Sequence, residues 1–142
     1  MKRSGSAEWL GGLKDGAGTV STESGVLNHT QYSFTTRFEN GQGTNPEELI
    51  AAAHAGCFSM AFSAQLEKEG LKAESIKTMA TVSLEKLEEG FSITAIHLQV
   101  TARVPNASHE VFNKAAKNAK EGCPVSKLMK ATITMDATLD NV

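Results

Sequence analysis

The sequence predicts an α+β fold in which antiparallel strands cover one long apolar helix. Three observations carry this: several stretches alternate apolar and polar residues with a period of two, one apolar run is too long to be a strand, and no internal repeat or linker divides the chain. Its 142 residues match one ordinary domain, so a single domain over 1–142 is expected. With 40% hydrophobic and 21% charged residues, the composition excludes the disordered and fibrous classes.

Tyr32, Phe34, Thr36 and Phe38 alternate with Ser33, Thr35 and Arg37, which predicts a half-buried strand with Arg37 opposite the aromatics. Asn40 to Thr44 reads as a flexible connection, and the glycines around Trp9–Gly12 and Gly16–Gly18 read as turns without a phosphate-binding signature. Asn45-Pro46-Glu47-Glu48 is a helix start, with Asn45 as N-cap, Pro46 at the first helical position and acids in the first turn. The helix should run from about Pro46 to Glu69, close at Gly70, and be enclosed on most sides because its middle is apolar or small. Alternation over Lys77–Glu85, then Glu88-Glu89-Gly90, then the face Ile96, Leu98, Val100, Ala102, Val104, predicts a β-hairpin. Phe91 and Ile93 fall in the opposite phase, so a bulge or a twist is expected near Ala95. Ser108 caps a helix ending by Glu121-Gly122, Cys123-Pro124 opens a short helical turn, and Ala131 to Leu139 alternate as a last strand.

The formal net charge of −2, with no Lys/Arg cluster, lacks the footprint of a nucleic-acid binder and leaves small molecules or proteins as partners. Residues Ser6 to Gly12 give no apolar core for a signal peptide, so a cytoplasmic location is expected. Leu49 to Leu66 is the one stretch that raises the membrane question. It carries His54, Ser59, Ser63 and Gln65 among many alanines and reads as a buried helix of a soluble chain. In a reducing compartment its two cysteines should not form a permanent bridge, though a transient catalytic one is allowed.

Cys57 lies mid-helix within Ala53-His54-Ala55-Gly56-Cys57-Phe58, where the residues taken alone favour an inert core cysteine over a nucleophile. Gly56 costs about 1 kcal/mol in a helix, which suggests a close approach beside Cys57 by a substrate or another backbone. Cys123 sits where one helix ends and a turn begins, near an amino terminus that stabilises negative charge, or simply as a small residue at a tight junction. Arg37 could hold a thiol as thiolate and Glu47 could hold Arg37, although each also fits an ordinary surface charge. On one continuous helix Glu47 and Cys57 are about 15 Å apart, so contact of both with Arg37 requires different subunits or a broken helix. His54 three residues before Cys57 allows a cysteine-hydrolase pair as an alternative, without a visible orienting acid. The His and Cys residues have no close metal-ligand spacing, so no metal is expected.

Thr44-Asn45-Pro46-Glu47-Glu48-Leu49, then Ala53-His54-Ala55-Gly56-Cys57-Phe58-Ser59-Met60, then Gly122-Cys123-Pro124-Val125-Ser126, closely resemble the osmotically inducible protein C (OsmC) family. The run from Gly18 to Leu27 resembles the OsmC branch more than its sister, the organic hydroperoxide resistance proteins. The resemblance implies an intertwined homodimer, sheets wrapped around two central helices and active sites at the subunit interface. It implies catalytic roles for Cys57, Cys123, Arg37 and Glu47: Cys57 attacks the peroxide, Cys123 resolves the sulfenic acid as a disulfide, and Arg37 and Glu47 match the family's arginine and glutamate. No bound cofactor is implied; an external dithiol, including a dihydrolipoyl protein, restores the thiols. The apolar surroundings of Cys57 favour organic hydroperoxides over hydrogen peroxide. A non-catalytic dimeric binder of a lipid-like ligand is the other alternative.

Overall fold

The computed structural model describes residues 1–141, in the order β1 (Gly5–Leu10), β2 (Ala17–Thr22), β3 (Thr30–Tyr32), α1 (Phe34–Phe38), α2 (Pro46–Lys68), β4 (Ser75–Leu87), β5 (Gly90–Arg103), α3 (His109–Gly122), α4 (Pro124–Leu128), β6 (Thr132–Leu139). The chain forms two compact units, Met1–Leu49 and Ile50–Val142.

In the first unit β1, β2 and β3 form an antiparallel sheet in that order. Gly18, expected in a turn, is a strand residue paired with both Trp9 and Tyr32. The two rings approach to 5.4 Å across it, and a Cβ there would collide with both. The strand expected over Tyr32–Phe38 is not formed: β3 stops at Tyr32 and α1 follows. Ser33 caps α1 reciprocally with Thr36, whose hydroxyl accepts from the Ser33 N–H at 2.8 Å. Phe34 and Phe38, four residues apart, meet at 4.9 Å on one side of this turn, so their spacing serves a helix as well as a strand.

Helix α2 starts and stops as its sequence dictates. The Asn45 side chain accepts from the Glu48 N–H at 2.7 Å. At the other end Gly70, at φ +73, lets the Leu71 N–H reach the Leu66 carbonyl and the Gly70 N–H reach that of Glu67, both at 3.0 Å.

In the second unit β4 and β5 form the expected antiparallel hairpin, with the register shift at Ser83/Leu84 skipping Thr94 beside Ala95. The expectation of purely antiparallel strands is corrected by β6, which pairs with β5 in parallel. A parallel neighbour needs a crossover, and α3 and α4 supply it. The core lies between sheet and helices: Leu98, Val100 and Ala102 of β5, Phe112, Ala115, Ala116 and Ala119 of α3, and Phe58, Phe62 and Leu66 of α2. Those α3 residues follow the i, i+3, i+4, i+7 spacing of a single apolar stripe.

The middle of α2 is not enclosed on most sides within this chain. Phe58, Phe62 and Leu66 are fully buried, whereas Ala52, Ala53, Gly56 and Ala64 are exposed and Met60 is 78% exposed. The alanines raise the hydropathy all round the helix, while the second unit packs only on the side bearing Phe58, Phe62 and Leu66. By length and composition alone, α2 is apolar enough to cross a membrane.

Candidate active site

Arg37 lies in the last turn of α1 and Glu47 in the first turn of α2. Asn45 joins these elements, since its amide donates to the Thr36 carbonyl at 3.1 Å while its oxygen caps α2. The Arg37 Nε then donates to Glu47 Oε1 at 3.0 Å. Glu47 is buried and the guanidinium is half-exposed, resting over the Phe38 ring at 5.3 Å. The other carboxylate oxygen, Oε2, is buried without a hydrogen-bond partner among the described residues. Beside Arg37 opens a cavity of about 260 Å³ lined by Trp9, Leu13, Tyr32, Phe34 and Phe38. The sequence reading missed it, because sequence-distant Trp9 and Tyr32 meet only through strand pairing.

The second unit gathers the two sulfurs. Cys57 lies mid-way along α2 and Cys123 joins α3 to α4, its N–H donating to the Ala119 carbonyl at 2.9 Å. Both thiols are free, Cys123 is fully buried, and its Sγ lies 2.7 Å from that of Cys57. The Val125 N–H, in the first turn of α4, also points to the Cys57 sulfur. Such an N–H has no partner within its helix and is free to serve a thiolate.

These surroundings push the Cys57 thiol up, not down as expected for a nucleophile. Burial is the largest cause, the hydrogen bond and charge of Cys123 add to it, and the Val125 N–H only partly offsets them. The structure therefore brings together Arg37 with Glu47 in one unit, and Cys57 with Cys123 in the other. The close approach expected at Gly56 is not made by this chain, where a Cβ would meet nothing within 4 Å.

His54 does not form the hydrolytic pair with Cys57. Its Nε2 lies 2.7 Å from Ser126 Oγ, its Nδ1 has no hydrogen-bond partner among the described residues, and both residues are buried. Burial lowers the His54 pKa from the usual 6.5, so the folded protein favours neutral imidazole. Its contribution to stability is then fully present above the unfolded value and is lost as pH falls below about 6.5 toward the folded pKa, because the unfolded chain binds the proton first. Thermal melts at pH 7.5 and 5 should show a larger acid loss in wild type than in His54→Gln. Parallel losses would refute this account.

Comparison with known proteins places the chain by sequence and by fold. The family model described as OsmC-like protein matches residues 39–138. The chain is 53% identical over 139 residues to the peroxiredoxin OsmC of Escherichia coli K12, covering 98% of this chain and 97% of that one. It is 35% identical over 96 residues to an organic hydroperoxide resistance protein-like 1 of Staphylococcus saprophyticus, 67% of each chain. In fold it is similar to the organic hydroperoxide resistance protein OhrB of Bacillus subtilis, with TM-score 0.68 and 24% identity over 96% of this chain and 98% of that one. An OsmC-like protein of Vibrio cholerae gives TM-score 0.76 at 18% identity, over 96% and 99%. The motifs around Glu47, Cys57 and Cys123, the mixed fold and the full-length identity thus have one explanation: this chain belongs to the OsmC family.

Proposed function

We propose that this protein is a thiol-dependent peroxidase that reduces organic hydroperoxides to alcohols in oxidative and osmotic stress defence. The observation that carries the reading is the 2.7 Å approach of two free sulfurs, 66 residues apart in sequence, inside one unit. The Cys57 thiolate attacks the terminal oxygen of the hydroperoxide and the O–O bond breaks. The alkoxide leaves and takes a proton as the alcohol, while sulfur keeps the other oxygen as a sulfenic acid. The Cys123 thiol then displaces that oxygen as water, forming the Cys57–Cys123 disulfide. The protein's own sulfur carries the oxidation, so no prosthetic group is required. An external dithiol, in our reading a dihydrolipoyl protein, restores both thiols.

A thiol pushed up by burial needs a cation to react at neutral pH, and Arg37, held by Glu47, is the candidate. Because α2 is continuous from Pro46 to Lys68, the reading requires a homodimer in which Cys57 of one copy faces Arg37 and Glu47 of the second. The exposed small face of α2 around Gly56 supports this, having room for another backbone. It also favours a partner copy over a membrane as the cover for that face. The aromatic cavity beside Arg37 suits a hydrocarbon tail, each buried CH₂ contributing about 0.8 kcal/mol. A cytoplasmic location follows, since dithiol recycling needs a reducing compartment.

The test is single-turnover and steady-state reduction of cumene hydroperoxide with dihydrolipoamide as reductant. Wild type should consume peroxide over many cycles. Cys123→Ser should complete one equivalent and then stall about a hundredfold slower, its Cys57 trapped as sulfenic acid by dimedone. Steady turnover by Cys123→Ser at the wild-type rate would remove its resolving role.

A further inference from the structure

We infer that His54 and Ser126 form a positioning pair that holds the turn carrying Cys123 against α2 in the register that lets the two sulfurs meet. The direction of the chemistry rests on the peroxidase reading above; the geometry does not. His54 precedes Cys57 by three residues on α2, and Ser126 follows Cys123 by three in the middle of α4. Two contacts therefore join matching positions: His54 Nε2 to Ser126 Oγ at 2.7 Å, and Cys123 Sγ to Cys57 Sγ at 2.7 Å. A pair of contacts spaced by one turn on both elements fixes their mutual rotation, which either contact alone leaves free.

Besides the bond between His54 and Ser126, α4 packs against the core through the partly buried Val125. It is a single turn of five residues whose N-cap, Cys123, makes no side-chain cap bond. Ser126 is the one buried residue within it, and Leu128 at its end is 75% exposed. The same turn delivers the Val125 N–H to the Cys57 sulfur. Since His54 Nδ1 has no hydrogen-bond partner among the described residues, placing the single imidazole proton on Nε2 leaves only an acceptor unmet, the less costly arrangement; Nε2–H then donates to Ser126 Oγ. The requirement on residue 54 is thus a donor at that point, and not a base.

In the step affected, the Cys57 S–O bond breaks, the S–S bond to Cys123 forms, and the Cys123 proton leaves with the hydroxyl as water; the hydroperoxide was the oxidant. A loosened turn lowers the local concentration of the second thiol and slows this closure. The experiment uses Ser126→Ala, which removes one oxygen, together with His54→Ala and His54→Gln, whose amide N–H replaces the Nε2 donor. One readout is the equilibrium of the two thiols in a dithiothreitol redox buffer, followed by alkylation and intact mass. The other is dimedone trapping of Cys57 after one equivalent of cumene hydroperoxide. Ser126→Ala and His54→Ala should each shift the equilibrium about tenfold toward the dithiol and raise the trapped sulfenic acid, with His54→Gln restoring most of both. An equilibrium and a closure rate within about twofold of wild type in Ser126→Ala, or no rescue by His54→Gln, would overturn the pair. If wild type forms the disulfide in the redox buffer but turns over no peroxide, the peroxidase reading fails while the positioning pair is still decided by the variants.

Discussion

Replacing Cys57 by serine is expected to reduce cumene hydroperoxide turnover to the uncatalysed background, a loss of at least about a thousandfold. A serine hydroxyl stays protonated at every working pH and its oxygen cannot accept the peroxide oxygen as sulfur does. Cys123 cannot substitute, because it is fully buried whereas Cys57 is only partly so. The pH dependence of Cys57 alkylation by iodoacetamide sharpens the expectation. Burial and the neighbouring Cys123 raise this thiol, so these groups alone place the rise in reactivity above the ordinary thiol range. A midpoint below that range requires a cation beside the sulfur, and Arg37→Ala should then move it upward. Residual turnover in Cys57→Ser near the wild-type rate would assign the chemistry elsewhere.

The second large effect concerns stability. Phe62→Ala should destabilise the protein by about 3–5 kcal/mol in urea unfolding. Phe62 is fully buried and links two elements, its ring lying 5.7 Å from Phe58 on the same helix and 5.2 Å from Phe112 of α3. Truncation removes both aromatic contacts and leaves a cavity that β5 residues such as Leu98 and Val100, packed in the same core, cannot fill without moving backbone. A loss under about 1 kcal/mol would mean that the core around α2 relaxes freely.

Local rules made much of this fold legible. Asn45, Gly70 and Ser108 bound their helices where cap chemistry placed them, and the phase change near Ala95 marked the bulge. What failed involved competing or distant partners. Phe34 and Phe38 share a face in either a strand or a helix, and the Ser33–Thr36 box decided for the helix. Both β1 and β2 are short, β1 nearly all exposed and β2 mostly half-buried on both faces, so burial left no alternating signature on them. Strand direction is not written in alternation at all, which is why the parallel placement of β6 was missed. At the candidate site, Cys57 and Cys123 were readable as redox-capable residues, and Arg37 with Glu47 as an ion pair. Ser126 was not, since nothing in a single sequence joins it to a histidine 72 positions away.

The parallel seat of β6 has a consequence for the order in which the chain becomes chemically competent. Its last strand cannot fold back on β5 as a hairpin does; it arrives only after the intervening crossover has been laid down. That crossover is the segment bearing Cys123. During synthesis Cys57 therefore emerges long before its companion, and β6 must itself emerge before the sheet can lock the crossover in place. Proximity of the two sulfurs is thus a late product of folding, and a nascent chain that has not yet reached Cys123 holds only a solitary thiol.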